Sequence, residues 1–233
     1  MKIRDLNNMK VLITSGGTRV PIDDVRSIVN MSTGRFGAEL AARFISKGVH
    51  GNDLTVFRAK GSFHPYTFLK DEDWEGVMPH YSDKEFNSYD EYLNVIDLAK
   101  EIQPDVIISV AAVSDYTLDK VEGKITAAQF SKDLVITLKN AKKVLPEFKT
   151  VCPRALVVGF KLLVSPAYEE VYYAVQKVLN NGADMVVYND LTEIRKGNSK
   201  RLVFQPHNGF REAKDVSELV QIIENEHSAR SDR

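Results

Sequence analysis

The chain has 233 residues, of which 43% are hydrophobic and 27% charged, a composition unlike that of disordered, collagenous or fibrous proteins. Its 31 Lys and Arg residues nearly balance its 32 Asp and Glu residues, so a formal net charge of -1 gives no overall electrostatic reason to bind nucleic acid or an anionic membrane. No signal peptide or membrane span is evident. The single cysteine, Cys152, excludes an intramolecular disulfide and a Cys-rich metal site, which predicts a cytoplasmic protein.

Short apolar runs alternate with amphipathic helices along the first half of the chain. The run at 11–13 predicts a buried strand that ends in a glycine-containing loop. A helix is predicted at 36–45, because its apolar residues recur on one face, with Gly48 as its C-terminal cap. A second strand is predicted at 54–57.

The second half repeats this alternation. A helix at 92–102, stopped by Pro104, precedes the most apolar strand at 105–112. Further strands are predicted at 155–160, 184–188 and 202–204, with helices at 168–179 and 216–223 and frayed ends at 1–8 and 228–233. The sequence therefore predicts an α/β fold in which a Rossmann-like, mostly parallel sheet carries helices on both faces. No linker is evident, so one domain is expected over 1–233, with its core at 10–227.

The segment 60–90 departs from this alternation. With its flank it carries eight aromatic residues without periodicity: Phe63, Tyr66, Phe68, Trp74, Tyr81, Phe86, Tyr89 and Tyr92. The two interpretations are equally favoured: the rings form a partner surface in an insertion, or they cover an edge of the chain's own sheet.

Ligands in such sheets bind beyond the carboxyl ends of the strands. The first such loop, at 15–18, lacks both the phosphate-loop motif and the dinucleotide fingerprint. The stretch from Asn30 to Gly37 leads directly into the first long helix, whose N-terminal N–H groups favour phosphate. Alternatively, Ser32 or Thr33 simply caps that helix and the glycines ease its packing.

Three charged residues are candidates for binding anions or substrate hydroxyls. Arg26 could bind a phosphate or carboxylate, although a surface pair with Asp23 is favoured by the residues alone. Asp115 follows the small pair Ala111-Ala112 and could accept a ribose hydroxyl or a metal ion, or bond its own backbone. Lys124 lies in a flexible stretch and could be a mobile phosphate-binding lysine, but any surface lysine looks the same.

The remaining reactive residue types give no catalytic or metal-binding pattern. Cys152 precedes Pro153 without a flanking partner, which predicts a packing role. The histidines lack metal-binding spacing and are interpreted as surface or packing residues: His50, His64, His80, His207 and His227.

Five motifs, taken in order, resemble those of phosphopantothenate-cysteine ligases, the phosphopantothenoylcysteine synthetases of coenzyme A biosynthesis. They are Ser15-Gly16-Gly17-Thr18-Arg19-Val20-Pro21; Val25-Arg26 with Asn30, Ser32-Thr33-Gly34 and Gly37; Ala111-Ala112-Val113-Ser114-Asp115-Tyr116; Gly159-Phe160-Lys161-Leu162; and the turn at Asn189. The resemblance extends from about Lys10 to Phe204. The string from Arg58 to Tyr66 is more similar to the stand-alone and eukaryotic-type enzymes than to the bacterial fusions, so a stand-alone form without a decarboxylase half is expected.

The resemblance implies a reaction and a set of residues. The carboxylate of 4'-phosphopantothenate would attack the α-phosphate of CTP, or of ATP, as the Mg²⁺ complex, and the acyl-nucleotide would pass to the amine of cysteine, in a homodimer. Contacts to the nucleotide would come from Gly16, Ser32, Gly34, Gly37, Phe160 and Asn189. Contacts to phosphopantothenate or its acyl-nucleotide would come from Arg26, Asn30, Ala111, Ala112 and Asp115. Asn30 and Lys124 would be catalytic, and Arg26 would reach the substrate phosphate across the dimer interface, of which 60–90 is a plausible part.

One departure and two alternatives accompany this resemblance. The bacterial fusions have a Lys-x-Lys-Lys string where this chain has Lys124-Ile125-Thr126-Ala127, which leaves nucleotide choice open, with CTP favoured. An NADPH-dependent Rossmann-type reductase is the first alternative, with Arg58 facing the 2'-phosphate, although the missing fingerprint opposes it. A non-catalytic nucleotide-binding regulator is the second.

Overall fold

The computed structural model describes residues 9–47, 54–70, 81–126, 133–198, 200–205 and 209–231. The strands are β1 (Val11–Ser15), β2 (Arg19–Pro21), β3 (Ser27–Val29), β4 (Leu54–Ala59), β5 (Tyr81–Phe86), β6 (Val106–Ser109), β7 (Tyr116–Thr117), β8 (Lys139–Asn140), β9 (Leu156–Leu163), β10 (Met185–Asp190), β11 (Arg201–Gln205) and β12 (Gly209–Ala213). The helices are α1 (Arg35–Ser46), α2 (Tyr89–Tyr92), α3 (Val95–Ile102), α4 (Leu145–Val151), α5 (Tyr168–Asn180), α6 (Leu191–Arg195) and α7 (Val216–Ser231), with a 3₁₀ turn at Pro65–Phe68.

Eight strands form one sheet in the order β12-β11-β10-β9-β6-β1-β4-β5. The neighbours from β5 to β10 are all parallel, whereas β10, β11 and β12 pair antiparallel. From β1 the chain builds the sheet outward first through β4 and β5 and then through β6, β9 and β10. The strand order therefore reverses between β1 and β6, which is the position where ligands bind in doubly wound folds.

Both faces of the sheet are buried, which explains the nearly continuous apolar strands. Side chains alternate along β1, so Val11 and Ile13 pack in one core and Leu12 packs in the other. The first core includes side chains of α1 and α7: Leu40, Phe44, Leu219 and Ile223. The second includes side chains of α3 and α4: Val95, Leu98 and Phe148. The predicted mostly parallel sheet with helices on both faces is confirmed.

Several boundaries differ from the predictions. The strand predicted to 112 ends at Ser109, because the residues that follow form hydrogen bonds with the loop after β1 instead of continuing the strand. The helix predicted at 92–102 is two helices, α2 and α3. The fraying predicted at 228–231 is wrong, since α7 continues to Ser231, and β12 was not predicted. The predicted cap Gly48 and residues 1–8 lie outside the described residues.

The aromatic segment contains rings in two environments. Phe86, Tyr89 and Tyr92 are buried, and Phe86 packs against Phe57 with ring centroids 5.0 Å apart. Tyr66 remains 59% exposed, and Trp74 lies outside the described residues. The C-terminal rings therefore cover the sheet, while the partner-surface interpretation rests on the N-terminal part of the segment.

Candidate active site

The candidate site lies where β1 and β6 end. Beyond the strands their loops stay hydrogen-bonded, because the Ala112 N–H donates to the Gly16 carbonyl over 2.8 Å and the Thr18 N–H donates to the Ala112 carbonyl over 3.1 Å. A parallel bridge joins Gly17 to Ala112. Two loops that are far apart in sequence therefore form one surface at the reversal of strand order.

Asn30 joins these two loops. Its side-chain Nδ2 donates to the Ala112 carbonyl over 2.8 Å, and its backbone N–H donates to the Thr18 carbonyl over 3.2 Å. Gly17 makes this approach possible, since a Cβ added there would lie 2.2 Å from the Asn30 carbonyl oxygen. The Ser32 N–H in turn donates to that Asn30 oxygen over 2.8 Å. Asn30 is thus held by the residues around it.

Helix α1 begins beside this junction without a side-chain cap. The N-cap residue is Gly34, in the left-handed conformation with φ 73°, and the Thr33 hydroxyl reaches only the Arg35 N–H, over 3.4 Å. The interpretation that Ser32 or Thr33 caps α1 is therefore wrong, whereas its second half, that the glycines ease packing, is confirmed, since a Cβ added at Gly37 would lie 2.3 Å from the Ser15 hydroxyl oxygen. The Ser15 hydroxyl donates to the Gly34 carbonyl over 3.0 Å, and the N–H groups of the first helical turn, which have no acceptor within the helix, favour an anion.

The loop after β4 closes the other side of this helix start. The Phe63 N–H donates to the Thr33 carbonyl over 3.0 Å, and a Cβ added at Gly34 would lie 2.8 Å from the Ser62 Cβ. The Ser62 hydroxyl oxygen is buried and has no partner among the described residues. Ser62 is a site residue that sequence reasoning missed as such, although its motif was part of the resemblance.

Asp23 organises the β2–β3 hairpin from inside. Its carboxylate is buried and accepts the backbone N–H groups of Val25, Arg26 and Ile125, over 2.9, 2.7 and 3.0 Å. The Arg26 guanidinium also binds it, which together with these N–H groups holds the pKa of Asp23 well below its usual range. The predicted pair of Arg26 with Asp23 exists, but it is not a surface pair, because the Asp23 side chain is inaccessible to solvent.

The same hairpin holds the segment that carries Lys124. Arg26 donates to the Ile125 carbonyl over 2.6 Å, while Asp24 exchanges hydrogen bonds with Gly123 over 2.8 and 3.0 Å. Lys120 forms an ion pair with Asp24. The exposed Lys124 side chain therefore projects from a segment fastened to the Arg26 hairpin, and only the tertiary structure brings these two cations near each other.

A cavity of about 210 Å³ opens between this hairpin and the loop after β6. Asn30, Ser114 and Asp115 supply polar groups, and the apolar wall includes Val20, Ile28 and Leu138. The Asp115 carboxylate forms an ion pair with Lys143, so it does not bond its own backbone, and Lys143 is a neighbour that sequence reasoning missed. A cavity of mixed polarity next to the anion-favouring helix start can hold a small ligand with an apolar stem.

Phe160 lies within β9, one residue beyond the level at which β6 ends, and Asn189 is the last residue but one of β10. The Phe160 ring meets the edge of Phe36, in the first turn of α1, with centroids 5.9 Å apart. The Asn189 Oδ1 is buried without a partner among the described residues. The predicted nucleotide residues Gly16, Gly34, Gly37 and Phe160 thus surround the start of α1, while Asn189 lies on β10, two strands from β6 and three from β1.

Other sequence interpretations can also be placed. The Cys152 thiol is buried, donates to the Ala99 carbonyl over 3.2 Å and has its pKa raised by burial, which confirms a packing role. Arg58 binds Asp83 over 2.9 Å and Glu85 over 2.7 Å, so it is already neutralised where the reductase alternative needs a free cation.

Within the described ranges, His, Cys, Asp and Glu form no cluster of three or more suited to a metal ion. None of the helices in the same ranges is long and apolar enough to cross a membrane.

The fold and site define an α/β protein with an anion-favouring helix start and a small-ligand cavity at the reversal point of its sheet. Residues 6–62 and 87–215 match the family model of the DNA/pantothenate metabolism flavoprotein C-terminal domain, and the chain belongs to this family. The two matched stretches leave 63–86 between them. The resemblance to phosphopantothenate-cysteine ligase domains is thereby confirmed.

Sequence and structure comparisons with individual proteins agree with the family assignment. The chain is 32% identical over 193 residues to the coenzyme A biosynthesis bifunctional protein CoaBC of Methanocaldococcus jannaschii, covering 80% of this chain and 43% of that protein. It is 28% identical over 233 residues to the phosphopantothenate--cysteine ligase of Homo sapiens, covering 80% and 73%. The crystal structure of the DNA/pantothenate metabolism flavoprotein from Streptococcus pneumoniae superposes with a TM-score of 0.76 at 26% identity, covering 95% of this chain and 99% of that one. The chain spans less than half the length of the bifunctional relative.

Proposed function

We propose that the chain joins 4'-phosphopantothenate to cysteine in coenzyme A biosynthesis. The substrate carboxylate attacks the α-phosphorus of a nucleoside triphosphate and pyrophosphate leaves. The cysteine amine then attacks the acyl carbon, the nucleoside monophosphate leaves, and the amine loses a proton. A carboxylate needs this activation because its own oxygen is a poor leaving group. The reaction requires one site that holds a triphosphate and a second anionic substrate in line.

The nucleotide phosphates fit the start of α1. Gly16, Gly34 and Gly37 let Ala59, Ser62 and Ser15 pack closely around this helix start. The N–H groups of the first turn would bind phosphate there, Ser32 would add a hydroxyl, and Lys124 would supply a charge from the opposite segment. Mg²⁺ enters with the triphosphate as part of the substrate. The described residues offer it no cluster of three protein ligands, so phosphate oxygens and water would provide most of its coordination.

The second substrate fits the cavity beside Asn30. Asp115 lies at the cavity wall, and the small side chains of Ala111 and Ala112 would leave room for the substrate beside it. Arg26, reaching across the proposed dimer interface, would take the substrate phosphate. Asn30 would hold the acyl-nucleotide for attack by cysteine, because its amide is already fixed between the two loops. Phe160 and Asn189 would contact the nucleotide, with CTP favoured over ATP. A cytoplasmic setting stays a prediction from cysteine usage.

The observation that carries this proposal is the fixed Asn30 amide between an uncapped helix start and a mixed cavity. The test incubates the protein with phosphopantothenate, cysteine, Mg²⁺ and each nucleotide separately, following pyrophosphate and coupled product by mass. Product with at least one nucleotide is expected. Pyrophosphate release without phosphopantothenate, or no product with any nucleotide, would contradict the proposal.

That assay and one thermal-shift measurement separate the two alternatives. A regulator would bind nucleotide without releasing pyrophosphate when all substrates are present. A reductase would give an NADPH-induced rise in melting temperature, whereas the pairing of Arg58 with Asp83 and Glu85 leads us to expect none.

Replacing Lys124 with alanine is expected to lower kcat about a hundredfold, corresponding to roughly 3 kcal/mol, because one charge donor to the transition state is lost. Steady-state rates at saturating substrates measure the effect. Lys100→Ala, an exposed lysine on α3, is the matched control. An unchanged kcat would remove Lys124 from catalysis.

We also propose a homodimer that uses the surface around the β2–β3 hairpin. Val25, Val29 and Met31 are 65%, 47% and 100% exposed, and the nearby β7–β8 ribbon exposes Tyr116. Exposed apolar side chains grouped on one hairpin favour association. Arg26 lies on this hairpin, which supports its predicted reach into the partner's site.

Val29→Lys is therefore expected to give a monomer by light scattering, because burying a charge at the centre of the interface is costly. Activity should fall at least about tenfold, because Arg26 no longer reaches the partner's site. Tyr173→Lys, on the exposed face of α5, should leave the dimer intact. Tyr66→Lys tests the predicted contribution of 60–90. A Val29→Lys protein that stays dimeric would contradict the hairpin interface.

A further inference from the structure

Two buried polar atoms at the end of the sheet have no partner among the described residues. They are the Asn189 side-chain oxygen Oδ1 and the Arg201 nitrogen Nε, an acceptor and a donor. Buried polar groups are almost always hydrogen-bonded, and an unsatisfied one costs free energy. A complementary pair of such atoms indicates a ligand that satisfies both.

The strand register places these residues side by side. In the antiparallel pairing of β10 with β11, Val187 lies opposite Val203 and Tyr188 opposite Leu202. One further step brings Asn189 opposite Arg201. Val187 and Val203 both pack in the core beneath α1, so Asn189 and Arg201 face the same side of the sheet.

Arg201 is oriented by contacts that leave Nε free. Its NH1 nitrogen donates to the carbonyls of Asn198 and Lys200, over 3.2 and 2.9 Å, and its guanidinium carbon lies 5.1 Å from the ring centroid of Phe36. Among the described residues it forms no ion pair within 4.0 Å. Burial lowers the pKa of Arg201, yet a guanidinium stays protonated, so the fixed Nε–H remains a donor.

These atoms lie next to the rings that adjoin the proposed phosphate site. Phe36 belongs to the first turn of α1 and contacts Phe160, so a nucleotide with its phosphates at that turn would extend its base toward the end of β10 and β11. This placement rests on the proposed function. There the aromatic rings supply a face on which the base can stack. The Arg201 Nε–H and the Asn189 Oδ1 supply a donor and an acceptor for one edge of the base.

We propose that Arg201, together with Asn189, recognises the Watson–Crick edge of the nucleotide base and selects cytosine and adenine, whose amine lies beside a ring-nitrogen acceptor on that edge. In cytosine and adenine an amine donor lies beside a ring-nitrogen acceptor, which matches Oδ1 and Nε–H. In uracil and guanine a carbonyl acceptor lies beside a ring N–H donor, so both contacts become repulsive. Rejection through unpaired buried groups is stronger than rejection by size alone.

The test measures binding of the Mg²⁺ complexes of CTP, ATP, UTP and GTP by titration calorimetry, without phosphopantothenate. The wild-type protein should bind CTP or ATP at least about a hundredfold more tightly than UTP or GTP. Arg201→Met should lose about thirtyfold for CTP and ATP and leave UTP and GTP nearly unchanged. Arg211→Met, an arginine on β12, is the matched control and should bind like wild type.

Two further variants keep the test decisive. Arg201→Lys retains the charge but lacks the planar Nε–H, so it should lose the same discrimination, and it replaces Arg201→Met if that variant does not fold. Asn189→Leu combined with Arg201→Met should be less than additive, because both residues contact one base edge.

The contradicting outcomes are distinct from those of the proposed function. Equal losses for all four nucleotides would show that Arg201 acts as a general charge, and unchanged CTP and ATP binding, or no nucleotide binding by the wild type, would overturn the base-reading role. Selective binding without product formation would overturn the ligase proposal alone.

Discussion

Replacing Asn30 with aspartate is expected to stop transfer of the acyl group to cysteine while still allowing one release of pyrophosphate per site. The Asn30 amide donates to the Ala112 carbonyl over 2.8 Å. A carboxylate has no donor, so its oxygen would repel that carbonyl and shift the loop that holds the acyl-nucleotide. Small displacements of a reacting group cost large factors in rate, and we expect product formation to fall about a thousandfold.

Rapid-quench measurements with mass detection distinguish the two steps. A burst of about one pyrophosphate per site, with acyl-nucleotide accumulating, is the expected result for a protein that activates but does not transfer. Asn225→Asp, on the exposed face of α7, is the matched control. Normal product formation by Asn30→Asp would remove Asn30 from its catalytic role.

Replacing Asp23 with alanine is expected to lower kcat about a thousandfold, more than the roughly hundredfold loss for Lys124→Ala, because it releases both Arg26 and the segment that carries Lys124. Asp23 accepts both Arg26 and the Ile125 N–H, so its removal unfastens the hairpin from the segment that carries Lys124. The N–H groups left buried without an acceptor should also lower the melting temperature. Asp97→Ala, at an exposed position of α3, controls for loss of a carboxylate.

The pH dependence tests the same residue. Folding lowers the pKa of Asp23 below its ordinary 3.8, so its stabilising effect is complete above that value and is lost as the pH falls toward the folded pKa. The difference in melting temperature between wild type and Asp23→Asn should be constant from about pH 5 to 8 and shrink below about pH 4. A difference that first shrinks near pH 7 would implicate another group.

Some contacts of the charged residues follow from their spacing in the sequence, whereas others depend on the tertiary packing. Arg26 and Asp23 are close in sequence, so their pairing was foreseeable, whereas burial of the Asp23 carboxylate depends on Ile125 from a distant segment. Lys143 and Arg201 belong to no motif, and they join the site through an ion pair with Asp115 and through the β10–β11 register. Such residues can be found only when the strands are already placed.

The sequence by itself determined the parallel sheet, the two covering helical layers and the loops that form the candidate site. These follow from local periodicity, because strands buried on both faces must be apolar and helices must repeat one apolar face. Only the tertiary structure decided that Asn30 bridges two loops, that Gly34 leaves α1 uncapped and that Asp23 fastens Lys124 to Arg26. The Asn30 and Asp23 contacts join a side chain to the backbone of a segment distant in sequence, and a hydrogen bond of that kind leaves no periodic signal in either segment.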